Sequence, residues 1–196
     1  MAHKIVLASN NAAKLREIQA VVDKQRYQLI AQSELQIGEV AETGTTFVEN
    51  AIIKARHAAL QCGLGALADD SGIEVDALQG APGIYSARYA GGHASDASNN
   101  EKLLAELQGV PDHERTARFQ CVIVYLRHAR DPMPILCQGT WEGRILQEPA
   151  GCNGFGYDPL FFVPSHDCSS AQLDPAEKNR ISHRAQALQK LMLKLG

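Results

Sequence analysis

Leu67-Ala68-Asp69-Asp70-Ser71-Gly72 joins a short apolar run to two adjacent carboxylates and a glycine. Ala66-Leu67-Ala68 reads as a buried strand, and Ile73-Glu74-Val75 beyond Gly72 alternates as a half-buried strand would. An unpaired carboxylate buried beside such a strand is strongly unfavourable or takes up a proton. The acids are therefore expected at an exposed strand end or around a cation, and two in succession favour the cation. The alternative is a loop with a solvated Asp pair and a turn-forming Ser-Gly. The residues on either side decide between the two.

Toward the N-terminus, Lys4-Ile5-Val6-Leu7-Ala8 reads as a buried strand, Ser9-Asn10-Asn11 as a polar turn, and Leu15, Ile18 and Val22 as the apolar positions of a helix. Such a strand-turn-helix unit offers backbone N–H groups and a helix N-terminus to an anion. Lys14 lies in the first turn, where a cation opposes the helix dipole, which suggests a phosphate; the alternative is a solvated lysine. Tyr27-Gln28-Leu29-Ile30-Ala31 is a second strand, and the loop from Gln32 to Gly44 carries Glu34, Glu39 and Glu42. Thr46-x-x-Glu49 forms a capping box for a helix that runs to Cys62, stops at Gly63 and puts Phe47, Ala51, Ala55 and Ala58 on one face. Lys54 and Arg56 lie on it, and Lys54 by itself reads as a solubilising charge.

Toward the C-terminus, Gly80-Ala81-Pro82-Gly83 is a turn, and Ile84-Tyr85-Ser86-Ala87-Arg88-Tyr89 is a shaped surface segment. Ser98-x-x-Glu101 opens a helix with Leu103, Leu104 and Leu107 as its core stripe, closed by Gly109 and Pro111. From Thr116 the pattern turns to long strands, with Ala117, Phe119, Cys121, Ile123 and Tyr125 on one face, and a second strand over 135–145. The connection His128-Ala129-Arg130-Asp131-Pro132 suits an antiparallel pairing of the two. Gly151-Cys152-Asn153-Gly154-Phe155-Gly156-Tyr157-Asp158-Pro159 lets backbone and ring faces approach a flat ligand, or packs its rings into the core; Leu160-Phe161-Phe162-Val163 follows as a strand. Asp174-Pro175-Ala176-Glu177 supplies an N-cap, a first-position proline and a capping-box Glu to a last helix carrying Lys178, Ser182-His183-Arg184 and the stripe Leu188, Met192, Leu195. On one straight helix Lys178 and Arg184 stand about 120° apart. If both reach one ligand, the helix must kink or restart near Ser182.

Composition narrows the class. A chain of 196 residues with 45% hydrophobic content suits one domain, or one with a small lobe, around one core. No run of eighteen apolar residues and no signal-like apolar region after Met1 is present, so neither membrane insertion nor export is expected and the cytoplasm is the default. Five cysteines without any C-x-x-C pair argue against a disulfide framework and structural zinc, and most are expected to be buried small hydrophobes. A net charge of −3 gives no global attraction to a nucleic-acid polymer, so small anions are the expected partners.

A lysine in a strand-turn-helix unit, a carboxylate pair, a Gly-aromatic loop and a His-Arg pair together are what a magnesium-dependent nucleoside triphosphate site requires. No G-x-x-x-x-G-K-[ST] occurs and no G-x-G-x-x-G follows a strand, so P-loop and Rossmann readings fail. Six blocks in order then resemble the Ham1/RdgB-type noncanonical purine nucleoside triphosphate pyrophosphatases, also called inosine triphosphate pyrophosphatases. They are Ala8-Ser9-Asn10 with Lys14; Glu42-Thr43-Gly44-x-x-Phe47-x-Glu49-Asn50-Ala51-x-x-Lys54-Ala55; Ala68-Asp69-Asp70-Ser71-Gly72; Gly80-Ala81-Pro82-Gly83-x-Tyr85-Ser86-Ala87-Arg88; Gly154-Phe155-Gly156-Tyr157-Asp158-Pro159; and Glu177-Lys178-Asn179 with Ser182-His183-Arg184.

The resemblance implies an α/β fold with an elongated mixed central sheet and helices in two lobes flanking a nucleotide-binding cleft, in a single domain, usually a homodimer. It implies hydrolysis of ITP, dITP and XTP to the monophosphate and pyrophosphate with Mg2+. Carried over by residue, Asp70 resembles the proton acceptor and metal ligand, with Asp69 beside it. Ser9, Asn10, Asn11, Lys14, Lys54, Ser71 and Lys178 resemble triphosphate contacts, and Phe155, Gly156, Tyr157 and Asp158 with His183 and Arg184 resemble the base pocket. Donors from His and Arg favour a 6-oxo purine, which presents an acceptor where adenine presents a donor. Two positions depart from the family pattern: Ser9-Asn10 stands where Thr-Gly is common, and Ala41 stands where an acid is often found. That carboxylate falls to Glu42 or Glu39, or the metal rests on Asp70 and the substrate. Two rivals stay open, a nucleotide-sensing module that binds without hydrolysis and a Maf-like pyrophosphatase acting on pyrimidine or modified nucleotides.

Overall fold

A computed structural model describes residues 2–195. In chain order the main elements are β1 (His3–Leu7), α1 (Ala12–Val21), β2 (Tyr27–Ala31), α2 (Phe47–Cys62), β3 (Gly65–Val75), α3 (Asp96–Glu106), β4 (Thr116–Leu126), β5 (Ile135–Ile145), β6 (Phe161–Val163), β7 (Cys168–Ser169), α4 (Pro175–Ile181) and α5 (His183–Leu195). The strands form one mixed sheet in the order β2-β1-β3-β4-β5-β6-β7. β1 runs parallel to β2 and β3, whereas β5–β6 and β6–β7 are antiparallel. Among the described residues no helix is long and apolar enough to cross a membrane.

The chain divides into two compact units, and β3, β4 and β5 give residues to both. Unit 1 holds the described residues up to Asp70, Cys121–Gly139 and those from His183 onward; unit 2 holds Ser71–Gln120 and Thr140–Ser182. The single core expected from length is instead three clusters. In unit 1, Ile5, Leu7, Leu67 and Ile123 pack with Ile18 of α1 and Leu188 of α5. On the other face of these strands Val6, Ala66, Ala68 and Val124 pack against Ala51, Ala55 and Ala58 of α2. In unit 2, Phe119, Trp141 and Phe161 gather with ring centroids 4.6–6.4 Å apart. Two sheet faces must each be covered, so period-two strands produce more than one cluster.

Helix boundaries follow the local chemistry closely in α2, where Thr46 accepts from Glu49 N–H, Glu49 reaches back to Thr46 N–H, and Gly63 ends the helix. Elsewhere the sequence expectations need correction. The acids do not end a strand: β3 continues unbroken through Asp69, Asp70, Ser71 and Gly72. α3 starts at Asp96 with Ser95 as its N-cap, because Ser98 plays the reciprocal role expected of a glutamate, accepting from Ser95 N–H while Ser95 accepts from its own. In α4 Asp174 caps Ala176 N–H as expected, but Glu177 turns outward to Arg180 at 2.9 Å and His166 at 3.0 Å instead of closing a capping box. The five cysteines are free, and only Cys121 and Cys137 are buried.

The seam between β5 and α5 depends on one missing side chain. A Cβ on Gly139 would overlap His183 O and lie 2.8 Å from Ala187 N. Both are backbone atoms, so the strain cannot be relieved by a rotamer change. Gly139→Ala is expected to lower stability by about 1–3 kcal/mol, the range for overpacking. An unchanged denaturant midpoint would show that α5 can back away freely.

Candidate active site

The site begins where β1 and β3 lie side by side, with Leu7 opposite Leu67 and Ala8 N–H bonded to Leu67 O at 2.8 Å. Successive residues of a strand face opposite sides of a sheet, so β3 sends its two acids apart. Asp69 shares its face with Leu67, toward α1 and α5, and Asp70 shares its face with Ala66 and Ala68, toward α2. Both are nearly inaccessible, at 1% and 7% exposure, yet each meets cations.

Asp69 accepts Lys14 Nζ at 3.1 Å and the Arg184 guanidinium at 3.2 Å and 3.3 Å. Burial is the largest single influence on its carboxyl and opposes charge, but Lys14, Arg184 and Lys54 together outweigh it and hold the group well below the ordinary range. Arg184, itself 2% exposed, also pairs with Glu17 of α1. Burial disfavours its charge, and Asp69 and Glu17 more than restore it. The set Lys14, Arg184, Asp69 and Glu17 is thus a charge-balanced group of two cations and two anions. Glu17 was not expected, although it lies three residues beyond Lys14 on the same helical face.

Asp70 accepts Lys54 Nζ at 2.7 Å, and the same ammonium reaches Glu42 at 2.8 Å. Burial pushes the Asp70 carboxyl above its ordinary range despite Lys54, while Asp70 and Asp69 raise Lys54 against the effect of its own burial. The loop bearing Glu42 is tied to the start of α2, where Gly44 N–H donates to Asn50 and the N–H groups of Thr45 and Thr46 donate to Glu49. Lys54 follows Asn50 by one turn. Two carboxylate oxygens therefore converge on one positive centre, a hard-oxygen donor set of the kind magnesium prefers. Among the described residues no three or more His, Cys, Asp and Glu side chains are grouped to hold a metal by themselves, so substrate oxygens and water would complete such a shell.

In the polar turn, Asn11 caps α1, accepting from Ala13 N–H and Lys14 N–H at 3.0 Å, and Ser9 Oγ accepts Asn11 N–H. The Asn10 side chain bridges Gln32 and Glu39. Its amide donates to Glu39 at 3.0 Å and its carbonyl accepts from Gln32 at 2.9 Å. The last helix restarts near Ser182, since α4 ends at Ile181, Ser182 is extended at φ −64°, ψ 161°, and α5 begins at His183. His183 is buried at the head of α5.

The remaining predicted residues lie in unit 2. Asp158 gathers Lys178 Nζ at 2.5 Å, Ser170 Oγ at 2.9 Å and Phe155 N–H at 2.8 Å. Lys178 Nζ also lies 4.9 Å from the centroid of the Phe155 ring. Gly154, at φ +78°, approaches Asp158 too closely for any Cβ. Tyr157 packs its ring into the unit 2 core and donates its hydroxyl to Ser86 O at 2.8 Å. Gly156 is half-buried, and Ser71 follows Asp70 in β3, also half-buried.

Comparison with known proteins bears on the same residues. The model of the Ham1 family matches residues 5–194. A dITP/XTP pyrophosphatase of Vibrio parahaemolyticus serotype O3:K6 (strain RIMD 2210633) is 62% identical over 98% of this chain and 96% of its own. One of Escherichia coli O157:H7 is 57% identical over 96% of each chain. The solved structure of a HAM1 protein from Coxiella burnetii is 53% identical, covers 98% of both chains and superposes with a TM-score of 0.92. A match over nearly the whole length in sequence and fold leaves no segment outside the comparison except the extreme ends, and the chain belongs to the Ham1 family.

Proposed function

We propose that the chain hydrolyses dITP, XTP and ITP to the monophosphate and pyrophosphate, with Asp70 taking a proton from the attacking water. The reading draws on relatives named dITP/XTP pyrophosphatases, and the Asp70 environment carries it on the structural side. A base works best when its pKa approaches the working pH, and burial moves Asp70 in that direction while Lys54 keeps it ionised and aimed. Asp69, paired with Lys14 and Arg184 and held well below the ordinary carboxylate range, is a poor base and serves to hold those two cations in place.

Asp70 and Glu42 are the residues that would hold Mg2+, and a bound magnesium would neutralise charge on the substrate phosphates. Lys14 and Lys54 stabilise negative charge developing on the leaving pyrophosphate. Ser9, Asn10, Asn11, Ser71 and Lys178 as phosphate contacts, and Phe155, Gly156, Tyr157, Asp158, His183 and Arg184 as base contacts, come from the family pattern. A homodimer comes from the same pattern and is decided by light scattering on the eluting protein.

The test is pyrophosphate release from dITP, XTP, ITP, GTP, ATP and a pyrimidine triphosphate, with and without Mg2+. Release from the first three, lost on chelation, is the expected result. Magnesium-dependent binding without release would make the chain a nucleotide sensor, and turnover confined to pyrimidine or modified nucleotides would make it Maf-like.

A further inference from the structure

None of the six sequence blocks includes a residue of α3, yet this helix holds the Gly-rich segment by both polar groups of one residue. Gly156 N–H donates to Asp96 at 2.7 Å, and Gly156 C=O accepts from Asn100 Nδ2 at 2.9 Å. Asp96 and Asn100 are four residues apart and so share a helix face. Because α3 begins at Asp96, this acid also lies in the first turn, where its charge suits the helix dipole. The neighbouring Asn99 accepts from Ala90 N–H and donates to Ala87 O, which fixes the segment to which Tyr157 is hydrogen-bonded through Ser86.

Two observations separate this contact from ordinary packing. Gly156 adopts φ +62° with open space around the position of a Cβ, and the two hydrogen bonds from α3 hold its N–H and its C=O. Asn100 keeps its Oδ1 buried without a hydrogen-bond partner, an arrangement that disfavours folding. An apolar residue at that position would remove the unpartnered Oδ1 but would also take the Asn100 donor away from Gly156 C=O.

We propose that Asp96 and Asn100 are positioning residues that lock the Gly156 peptide and thereby the aim of Phe155 and Asp158 at the purine. The inference rests on the function proposed above. Phe155 precedes the clamped residue and Asp158 follows it by two, and Phe155 N–H is itself bonded to Asp158. A Gly156 peptide free to rotate would disorder both, weakening binding while leaving Asp70 and its lysine untouched.

The experiment uses the whole chain with dITP, reading KM and kcat by pyrophosphate release, unfolding temperature by calorimetry, and Gly156 amide exchange by NMR. Asp96→Ala is expected to raise KM about tenfold with kcat within about twofold and to speed Gly156 exchange by about tenfold or more, the scale of one lost charge-assisted hydrogen bond. Asp96→Asn keeps an acceptor and should restore most of both. Asn100→Leu removes both the unpartnered Oδ1 and the donor to Gly156 C=O, and is expected to raise KM about threefold beyond any change that its unfolding temperature accounts for. Unchanged KM in Asp96→Ala and Asn100→Leu, or KM that worsens only in step with lost stability, overturns the inference. A wild-type chain that releases no pyrophosphate from any purine triphosphate overturns the functional reading instead, and faster exchange in Asp96→Ala would then report the clamp as purely structural.

Discussion

Asp70→Asn is expected to lower kcat for pyrophosphate release by about 10³- to 10⁴-fold, at the upper end of what a positioned general base contributes. Asparagine matches aspartate in shape and keeps a carbonyl oxygen for Lys54 Nζ, which stays paired with Glu42 at 2.8 Å, so the loss would be chemical and not architectural. Stability should move the other way. The Asp70 pKa is raised on folding, so its contribution to stability is fully present below the unfolded value of about 3.9 and is lost as pH rises through the folded value. At neutral pH the buried charge therefore weighs against the fold, and the neutral amide removes that burden. Denaturant unfolding at pH 7 should find the variant as stable as the parent or more so. A variant that kept kcat within tenfold would remove Asp70 from the base role, and one that lost stability would show that Lys54 and Asp70 stabilise each other beyond their burial.

The same pair shows what a sequence can and cannot disclose. Strand periodicity and the capping box at Thr46 depend on residues within a few positions of one another, and both were legible. The separate partners of Asp69 and Asp70 were not, because they follow from which helix covers which sheet face. Alternation along β3 sends the acids to opposite sides, but only the fold places α1 and α5 on one side and α2 on the other. For the same reason β3 was expected to end at its acids: an isolated carboxylate cannot be buried, and the matching cations come from 16 and 115 residues away in sequence. Glu17 and Asp96 escaped notice because their partners, Arg184 and Gly156, lie 167 and 60 residues distant. Beside Ala41, Glu42 shares Lys54 with Asp70, a contact that spacing along the chain did not disclose.

The largest expected effect on the fold itself lies at Asp69. Asp69→Asn would leave Arg184 at 2% exposure and Lys14 beside it with Glu17 as the remaining carboxylate of the group, and breaking a buried ion network from one side costs about 3–5 kcal/mol. The pH dependence identifies the cause. Asp69 is depressed on folding, so its stabilisation is present above the unfolded value of about 3.9 and is lost as pH falls through the still lower folded value. The gap in unfolding free energy between parent and variant should therefore stay constant from pH 8 to about 5 and close only in stronger acid, as the parent carboxyl takes up its proton. Guanidinium unfolding across that range would measure it. A constant gap below about 1 kcal/mol would mean that Glu17 alone suffices to neutralise the buried guanidinium. A gap that widens toward acid would assign the stabilisation to a different group. Activity should fall with the variant even where the protein remains folded, because Asp69 holds both Lys14 in the first turn of α1 and Arg184 at the head of α5.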